Sequence, residues 1–459
     1  MENITIEACA AEGKALTHWN GVVVFVPFAV PGDVVDIRVT KKSKNYYEGF
    51  VERIVTPSKD RLEPFCQHFG VCGGCKWQPL PYPMQLEAKR QQVYDQLVRI
   101  GHLNVPEIRP TIPSDKIQYY RNKLEFTFSS KRWLLKDEDI ESVPENDRMG
   151  LGFHVGKFFD KVLDIKHCYL QKDPSNDIRL FIKKYAVENG LDFFDIRQNV
   201  GYVRNMFIRT TDTGDLMVII CFFYENREDR EKMLDAIAEA FPQITSLYYI
   251  INNKLNDSIG DQECILYKGE PTIRETMESL TFRIGPKSFY QTNSEQAYKL
   301  YSVARDFAEL TGNEIVYDLY TGTGTIAQFV SGKAARVIGI EYVPEAIEDA
   351  KVNAAGNGIT NCEFFAGDMK DVLRRDFINE HGQPDVIILD PPRAGIHPDV
   401  AKVILEASPA RMVYVSCNPA SQARDLALFA DKYDITAVQP VDMFPHTQHV
   451  ENVCALRLR

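Results

Sequence analysis

The chain has 459 residues, 44% of them hydrophobic and 25% charged, which is the balance of a globular polypeptide long enough for two or three cores. No apolar run approaches the roughly 20 residues a membrane span needs. The opening residues, MENITIEACAAEG, contain neither a basic nor an apolar stretch, so a cytoplasmic protein without a membrane partner is expected. The formal charge of −11 weighs weakly against a nucleic-acid partner, because phosphate contacts depend on local patches rather than totals. Ten cysteines in such a chain sort into metal ligands, nucleophiles and buried small residues rather than a disulfide framework.

In chain order, residues 1–58 read as a small β-barrel of oligonucleotide-binding type. The runs 21-GVVVFVP-27, 33-DVVDIRVTK-41 and 48-EGFVERIV-55 are apolar and β-branched, with Gly, Pro and Asp turns between them. Residues 59–285 read as a central α+β domain. It opens on a cysteine-rich loop, 64-PFCQHFGVCGGCKWQPLPYPMQ-85, and a helix over 86–101 in which Leu86, Val93, Leu97 and Ile100 recur at helical spacing before Gly101. Strands (124–130, 216–224, 247–252) and helices (176–190, 229–241) follow. From 286 to 459 strands and helices alternate, which predicts a mainly parallel sheet covered on both faces, of Rossmann-like type. The whole chain is therefore a multidomain α/β protein.

The stretch 318-DLYTGTGTIA-327 follows a strand and opens a helix. Gly322 and Gly324 allow a tight turn and close approach to a ligand. Glu341 ends the next strand, nineteen residues after Gly322, where a carboxylate can accept from both ribose hydroxyls of a nucleoside. Asp368 ends the third strand, within reach of an adenine amino group. No third glycine and no phosphate-binding lysine follow, so the loop suits a nucleoside without pyrophosphate, such as S-adenosylmethionine.

Two more strand ends carry 390-DPPRAG-395 and 416-SCNP-419. Prolines stiffen the backbone after Asp390. Cys417 sits in a polar turn and is the candidate nucleophile: carbon 5 of uracil attacks a methyl donor only after a thiolate has added to carbon 6. A base must then remove the carbon 5 proton. Glu451, between apolar Val450 and Val453, is the candidate, with His446 and His449 as rivals.

In order along the chain, 288-SFYQTN-293, 318-DLYTGTGTIA-327, 390-DPPRAG-395, 416-SCNP-419 and 449-HVENV-453 resemble the motifs of the RNA uracil-5-methyltransferase family, the rRNA and tRNA 5-methyluridine enzymes. The resemblance implies a C-terminal class I methyltransferase domain in which Gln291, Tyr320, Glu341 and Asp390 bind the cofactor, with Asp368 as a further contact. It also implies that Cys417 is the nucleophile and Glu451 the base. Where relatives often read CGxGG this chain reads TGTGT, which alters a side chain near the cofactor and not the backbone. Residues 1–56 resemble the TRAM domain, an RNA-binding barrel.

Cys66, Cys72 and Cys75 crowd one loop, and Cys168 in 166-KHCYL-170 is the candidate fourth ligand. Four thiolates suit zinc or an iron–sulfur cluster about equally. The resemblance favours a 4Fe–4S cluster, since its rRNA-modifying members carry this spacing, and with it 23S rRNA as the substrate over tRNA. The cluster is expected to order the RNA-contacting central domain, because methyl transfer has no electron-transfer step. Lys41, Lys42, Lys44, Tyr46 and Tyr47 in 38-RVTKKSKNYYEG-49, and Arg121 in 119-YYRNK-123, are the candidate RNA contacts. A monomer is expected. Two rival readings are a cytosine-5 methyltransferase, which uses a similar cysteine, and a catalytically silent RNA-binding assembly factor.

Overall fold

The computed structural model describes residues 1–135, 138–139, 141–156 and 158–459. No described helix is long and apolar enough to cross a membrane.

The N-terminal sheet has six strands in the order Ile4–Thr5, Val34–Lys42, Tyr46–Thr56, Val22–Pro27, Lys14–Trp19, Ala8–Cys9. The segment 4–9 pairs first with Val34 and Val35 and then with Ala15 and Leu16, so its two ends join opposite edges and the sheet closes. Thr17 Oγ1 donates to Thr5 O at 2.7 Å across that seam. Alternation sends Ile4, Ile6, Ala15, Val24, Val26, Val35 and Ile37 inward.

A second sheet of seven strands (Ile265–Gly269, Ser246–Ile251, Leu216–Phe222, Val203–Thr210, Lys123–Ser129, Gly150–His154, Val162–Asp164, in spatial order) forms the middle of the molecule. Only Leu216–Phe222 and Ser246–Ile251 run parallel, because helix Arg227–Ala240 connects them. That helix and Ser175–Glu188 cover one face, burying Ile178, Ile182, Met233, Leu234 and Ile237.

The C-terminal sheet has seven strands: β1 (Ile315–Leu319), β2 (Arg336–Glu341), β3 (Cys362–Ala366), β4 (Val386–Leu389), β5 (Arg411–Ser416), β6 (Tyr433–Val441) and β7 (Glu451–Leu458). Their order is β3-β2-β1-β4-β5-β7-β6, and β7 alone is antiparallel to its neighbours. Both faces are buried, so the strands read as near-continuous apolar runs. Val316, Val337, Val386, Ile388 and Val413 face one core, and Tyr317, Leu319, Ile338, Ile387 and Met412 face the other.

Two segments from outside residues 286–459 complete these cores. The hairpin Ile273–Met277/Leu280–Ile284 buries Ile273, Met277, Phe282 and Ile284 in the first. Helix Tyr82–Tyr94 and the widened π-type turn Asp95–Ile100 bury Val93 and Leu97 in the second. They belong by packing to the C-terminal sheet, although they lie within the 59–285 stretch expected to form the central domain. The helix starts four residues before the expected Leu86, at Tyr82 after Pro81. Ile100 does not share its apolar face and is 65% exposed, because the π-type turn rotates the last residues out of the 3.6-residue phase.

Candidate active site

Every strand end expected to carry chemistry lies on the carboxyl edge of the C-terminal sheet, around the point where the order reverses between β1 and β4. After β1 the chain passes through Tyr320, Gly322 and Gly324, all with positive φ (67°, 55° and 73°). A Cβ on Gly324 would meet Phe364 at 2.8 Å and Ala350 at 2.9 Å, whereas one on Gly322 would point into open space. Gly324 is thus required for packing, and Gly322 leaves room for a ligand. Glu341, at the end of β2, accepts from Gly322 N and Val343 N, both at 3.1 Å, which orients its carboxylate along the loop.

A cleft of about 250 Å³ opens beside this loop, lined by Tyr320, Tyr342, Asp368, Met369, Gly395, His397 and Val400. Asp368 caps the short helix Met369–Val372 and pairs with Lys370, whose hydrogen bond lowers its pKa. Tyr342 is 68% exposed at the cleft. The sequence reading missed Tyr342 and His397; an aromatic directly after the strand-end glutamate was the available signal for the first. It also missed Asp318, fully buried, whose Oδ2 accepts from Thr321 Oγ1 (2.5 Å) and Ala327 N (3.0 Å) and ties the glycine loop to the helix it opens.

At the other end of the edge, Ser416 on β5 pairs with Asn452 on β7. Antiparallel register therefore sets Cys417 opposite Glu451. Cys417 is half-buried, and burial, then Glu451 and then Asp390, push its thiol up to about 11. Glu451 is buried, and burial with Asp390 nearby lifts it to about 8. Asp390 itself is lifted to about 7 by burial and by Asp318. Glu451 and Asp390 raise the Cys417 thiol, and the Arg393 cation nearby opposes them. Gln291 lies beside buried Tyr301, whose hydroxyl also senses Asp390.

The rival histidines are accounted for by packing. His446 lies edge-on to Phe65 (5.0 Å between centroids), accepts two backbone bonds at its carbonyl from Lys76 and Trp77, and is pushed down to about 4 by burial. His449 is also held near 4 by burial and then by Arg393. Burial thus holds both imidazoles neutral, whereas it raises the Glu451 carboxyl.

Cys66, Cys72, Cys75 and Cys168 line one cavity of about 390 Å³, together with Phe65, His68 and Phe153. Burial raises all four thiols, Cys75 to about 12 and Cys168 to about 11. Among the described residues no group of three or more His, Cys, Asp or Glu is gathered to hold a metal ion. Cys221 and Cys454 are fully buried, as core residues should be.

Lys41 and Lys42 lie over the rings of Tyr46 and Tyr47 (5.4 and 5.8 Å) at the hairpin of the N-terminal barrel, with Lys44 between the two strands. Arg121 is elsewhere, over the ring of Phe444 at 5.3 Å in the segment that precedes β7.

Both ends of the chain match known families. The profile of the TRAM domain matches residues 2–51, and that of tRNA (uracil-5-)-methyltransferase matches residues 210–459. An RNA methyltransferase of Porphyromonas gingivalis is 59% identical over 455 residues, covering 97% of this chain and 98% of its own. One of Bacteroides thetaiotaomicron is 58% identical, covering 98% and 100%. The crystal structure of Pyrococcus abyssi tRNA (uracil-54, C5)-methyltransferase with S-adenosyl-L-homocysteine superposes with a TM-score of 0.77 at 28% identity, over 99% of this chain and 100% of that one. The chain belongs to the tRNA (uracil-5-)-methyltransferase family of RNA methyltransferases and carries an N-terminal TRAM domain.

Proposed function

We propose that this protein methylates carbon 5 of a uridine in RNA, using S-adenosylmethionine, with Cys417 as nucleophile and Glu451 as base. The observation that carries the reading is the β5–β7 register, which faces the thiol with a buried carboxylate on the same sheet edge as the glycine loop. The S-adenosyl-L-homocysteine in the Pyrococcus relative supports the cofactor. The residues present fit it: open space at Gly322, the Glu341 carboxylate along the loop, and a cleft with Tyr342 and Asp368 for the base. Gln291, Tyr320 and Asp390 complete the cofactor set. When bound, this cofactor supplies an electrophilic methyl on a cationic sulfonium, whose charge favours ionised Asp390 and Glu451.

Two neighbouring carboxylates then provide two places for protons. Asp390 takes the proton of Cys417, and the thiolate forms a bond to carbon 6 as the ring's C5=C6 electrons move toward the O4 enolate. Carbon 5 would then use the enolate pair to bond the methyl, and the electrons of the broken methyl–sulfur bond would stay on sulfur as a neutral thioether. Glu451 removes the carbon 5 proton, that C–H pair re-forms C5=C6, and the bond from carbon 6 to Cys417 breaks. The thiolate recovers a proton, and one proton is released to water.

The four thiols around one cavity suit zinc or an iron–sulfur cluster, and the cysteine spacing, through the family resemblance, favours the cluster. A 4Fe–4S cluster on Cys66, Cys72, Cys75 and Cys168 would cross-link the loop to the segment between strand Val162–Asp164 and helix Ser175–Glu188 without entering the methyl transfer. Lys41, Lys42, Lys44, Tyr46 and Arg121 are the proposed RNA contacts.

For the substrate we favour 23S rRNA, on the cysteine pattern. A tRNA uridine is the second reading, supported by likeness to the Pyrococcus tRNA enzyme over the whole chain. RNA containing 5-fluorouridine has no carbon 5 proton to lose, so it should trap a covalent adduct at Cys417 that Cys417→Ala abolishes. Absence of adduct would favour a silent assembly factor, and trapping only on 5-fluorocytidine RNA would favour the cytosine enzyme. Mapping 5-methyluridine in 23S rRNA and tRNA of a deletion strain decides the substrate.

A further inference from the structure

The segment 441-VDMFPHTQHV-450 leads from β6 to β7 and delivers Glu451, yet much of its support comes from the N-terminal half of the chain. Lys89, on helix Tyr82–Tyr94, forms an ion pair with Asp442 in which neither side chain is exposed. The same ammonium donates to Phe444 O at 3.1 Å. Asp442 Oδ2 accepts from Tyr82 Oη at 2.8 Å, and its Oδ1 from Phe444 N at 3.1 Å. Gln85 brackets His446: its Oε1 accepts from the His446 N–H at 2.8 Å, and its Nε2 lies 3.2 Å from Nδ1. Tyr82, Gln85 and Lys89 recur at helical spacing and face this one segment. Tyr120 Oη donates to Pro445 O at 3.0 Å.

An ion pair with both partners out of water gains little net stability, because desolvation offsets the attraction. What such a pair does fix is geometry, since either charge left alone in the interior is costly. Cys417 follows β5, which is held by parallel pairing to β4. Glu451 is the first residue of β7, immediately after the crossover. Residues 442–450 join Val441 to its ladder partner Glu451, so the clamp bears on the segment that enters the base's own strand, whereas Cys417 leaves β5 away from it.

We propose that Lys89 and Asp442 are positioning residues for the base: buried away from RNA and cofactor, they set the path of residues 442–449 so that Glu451 meets the carbon 5 proton. The inference rests on the assignment of Glu451 as base. It predicts that loosening the clamp slows elimination and spares addition and methyl transfer.

The test is the full-length double variant Lys89→Met/Asp442→Asn, which removes both charges together, beside Tyr82→Phe, which trims one hydrogen bond. Adduct formation on 5-fluorouridine RNA, which needs no base, should stay within about twofold of wild type. Turnover on ordinary RNA should fall roughly tenfold to a hundredfold, with a methylated protein–RNA adduct accumulating; Tyr82→Phe should move the same way by less. Normal turnover, or an equal fall in adduct formation and turnover, overturns the proposal, and if the double variant does not fold, Tyr82→Phe decides by the same ratio. Glu451→Gln is the control. If it accumulates adduct and the clamp variants do not, only the positioning role fails; if it turns over without accumulating adduct, the base assignment fails first.

Discussion

Burial sets the proton affinities at this site more than any single partner does. Asp390 and Glu451 rise from their ordinary 3.8 and 4.5 to about 7 and about 8, each with burial as the largest cause. A carboxyl raised in the folded state binds its proton more tightly there than in the unfolded chain, so folding is opposed as pH rises. For Asp390 the penalty is absent below its ordinary pKa, grows up to about 7 and is constant above. Asp390→Asn should therefore raise the melting temperature of the cofactor-free protein by roughly a few degrees at pH 8, with the gain shrinking toward pH 5. An unchanged or lower melting temperature at pH 8 would show that the carboxylate is not desolvated. Catalysis has the opposite sign: elimination needs ionised Glu451 and follows loss of the sulfonium charge, so its rate should climb with pH toward about 8.

At the scale of elements, the glycine loop separates two roles that the motif TGTGT presents together. Gly324 combines a left-handed φ with a neighbour on each side, so Gly324→Ala should cost about 2–4 kcal/mol of stability through strain and overpacking. Gly322 has the φ but no neighbours, so Gly322→Ala should cost the fold only about 1 kcal/mol while weakening S-adenosylmethionine binding at least tenfold. Chemical denaturation and cofactor titration on the two variants distinguish these outcomes, and equal stability losses would contradict the assignment. The strand ends at Glu341, Asp368, Asp390 and Cys417 were legible because each closes an apolar run with a polar residue on a sheet whose ligand edge follows from topology. The π-type turn that exposes Ile100 was not legible, since helical spacing alone cannot show a change of phase.

At the scale of the whole molecule, the N-terminal half does more than carry RNA-binding surface. The cysteine loop donates two backbone bonds to His446, and helix Tyr82–Tyr94 fills one core of the catalytic sheet. If four thiolates hold an iron–sulfur cluster, Cys72→Ala should purify with little iron, bind RNA several-fold more weakly and become sensitive to proteolysis within residues 64–85. Loss of iron with fold and RNA affinity intact would remove the structural role. The pairing of Lys41 and Lys42 with Tyr46 and Tyr47 on the closed barrel gives a cationic, aromatic surface despite the formal charge of −11.

The sequence by itself determined the order of chemistry along the chain: the glycine loop, its strand-end carboxylates, the cysteine in a polar turn and the glutamate before the last strand. These are local patterns, fixed by which residue ends which strand. Tertiary structure alone decided that Cys417 faces Glu451, because β7 inserts antiparallel between β5 and β6 and register across that insertion sets the pair. It alone showed Asp318 beneath the glycine loop and Lys89 against Asp442, 353 residues apart in sequence. Such partners meet through long-range packing, and neither periodicity nor spacing carries any trace of it.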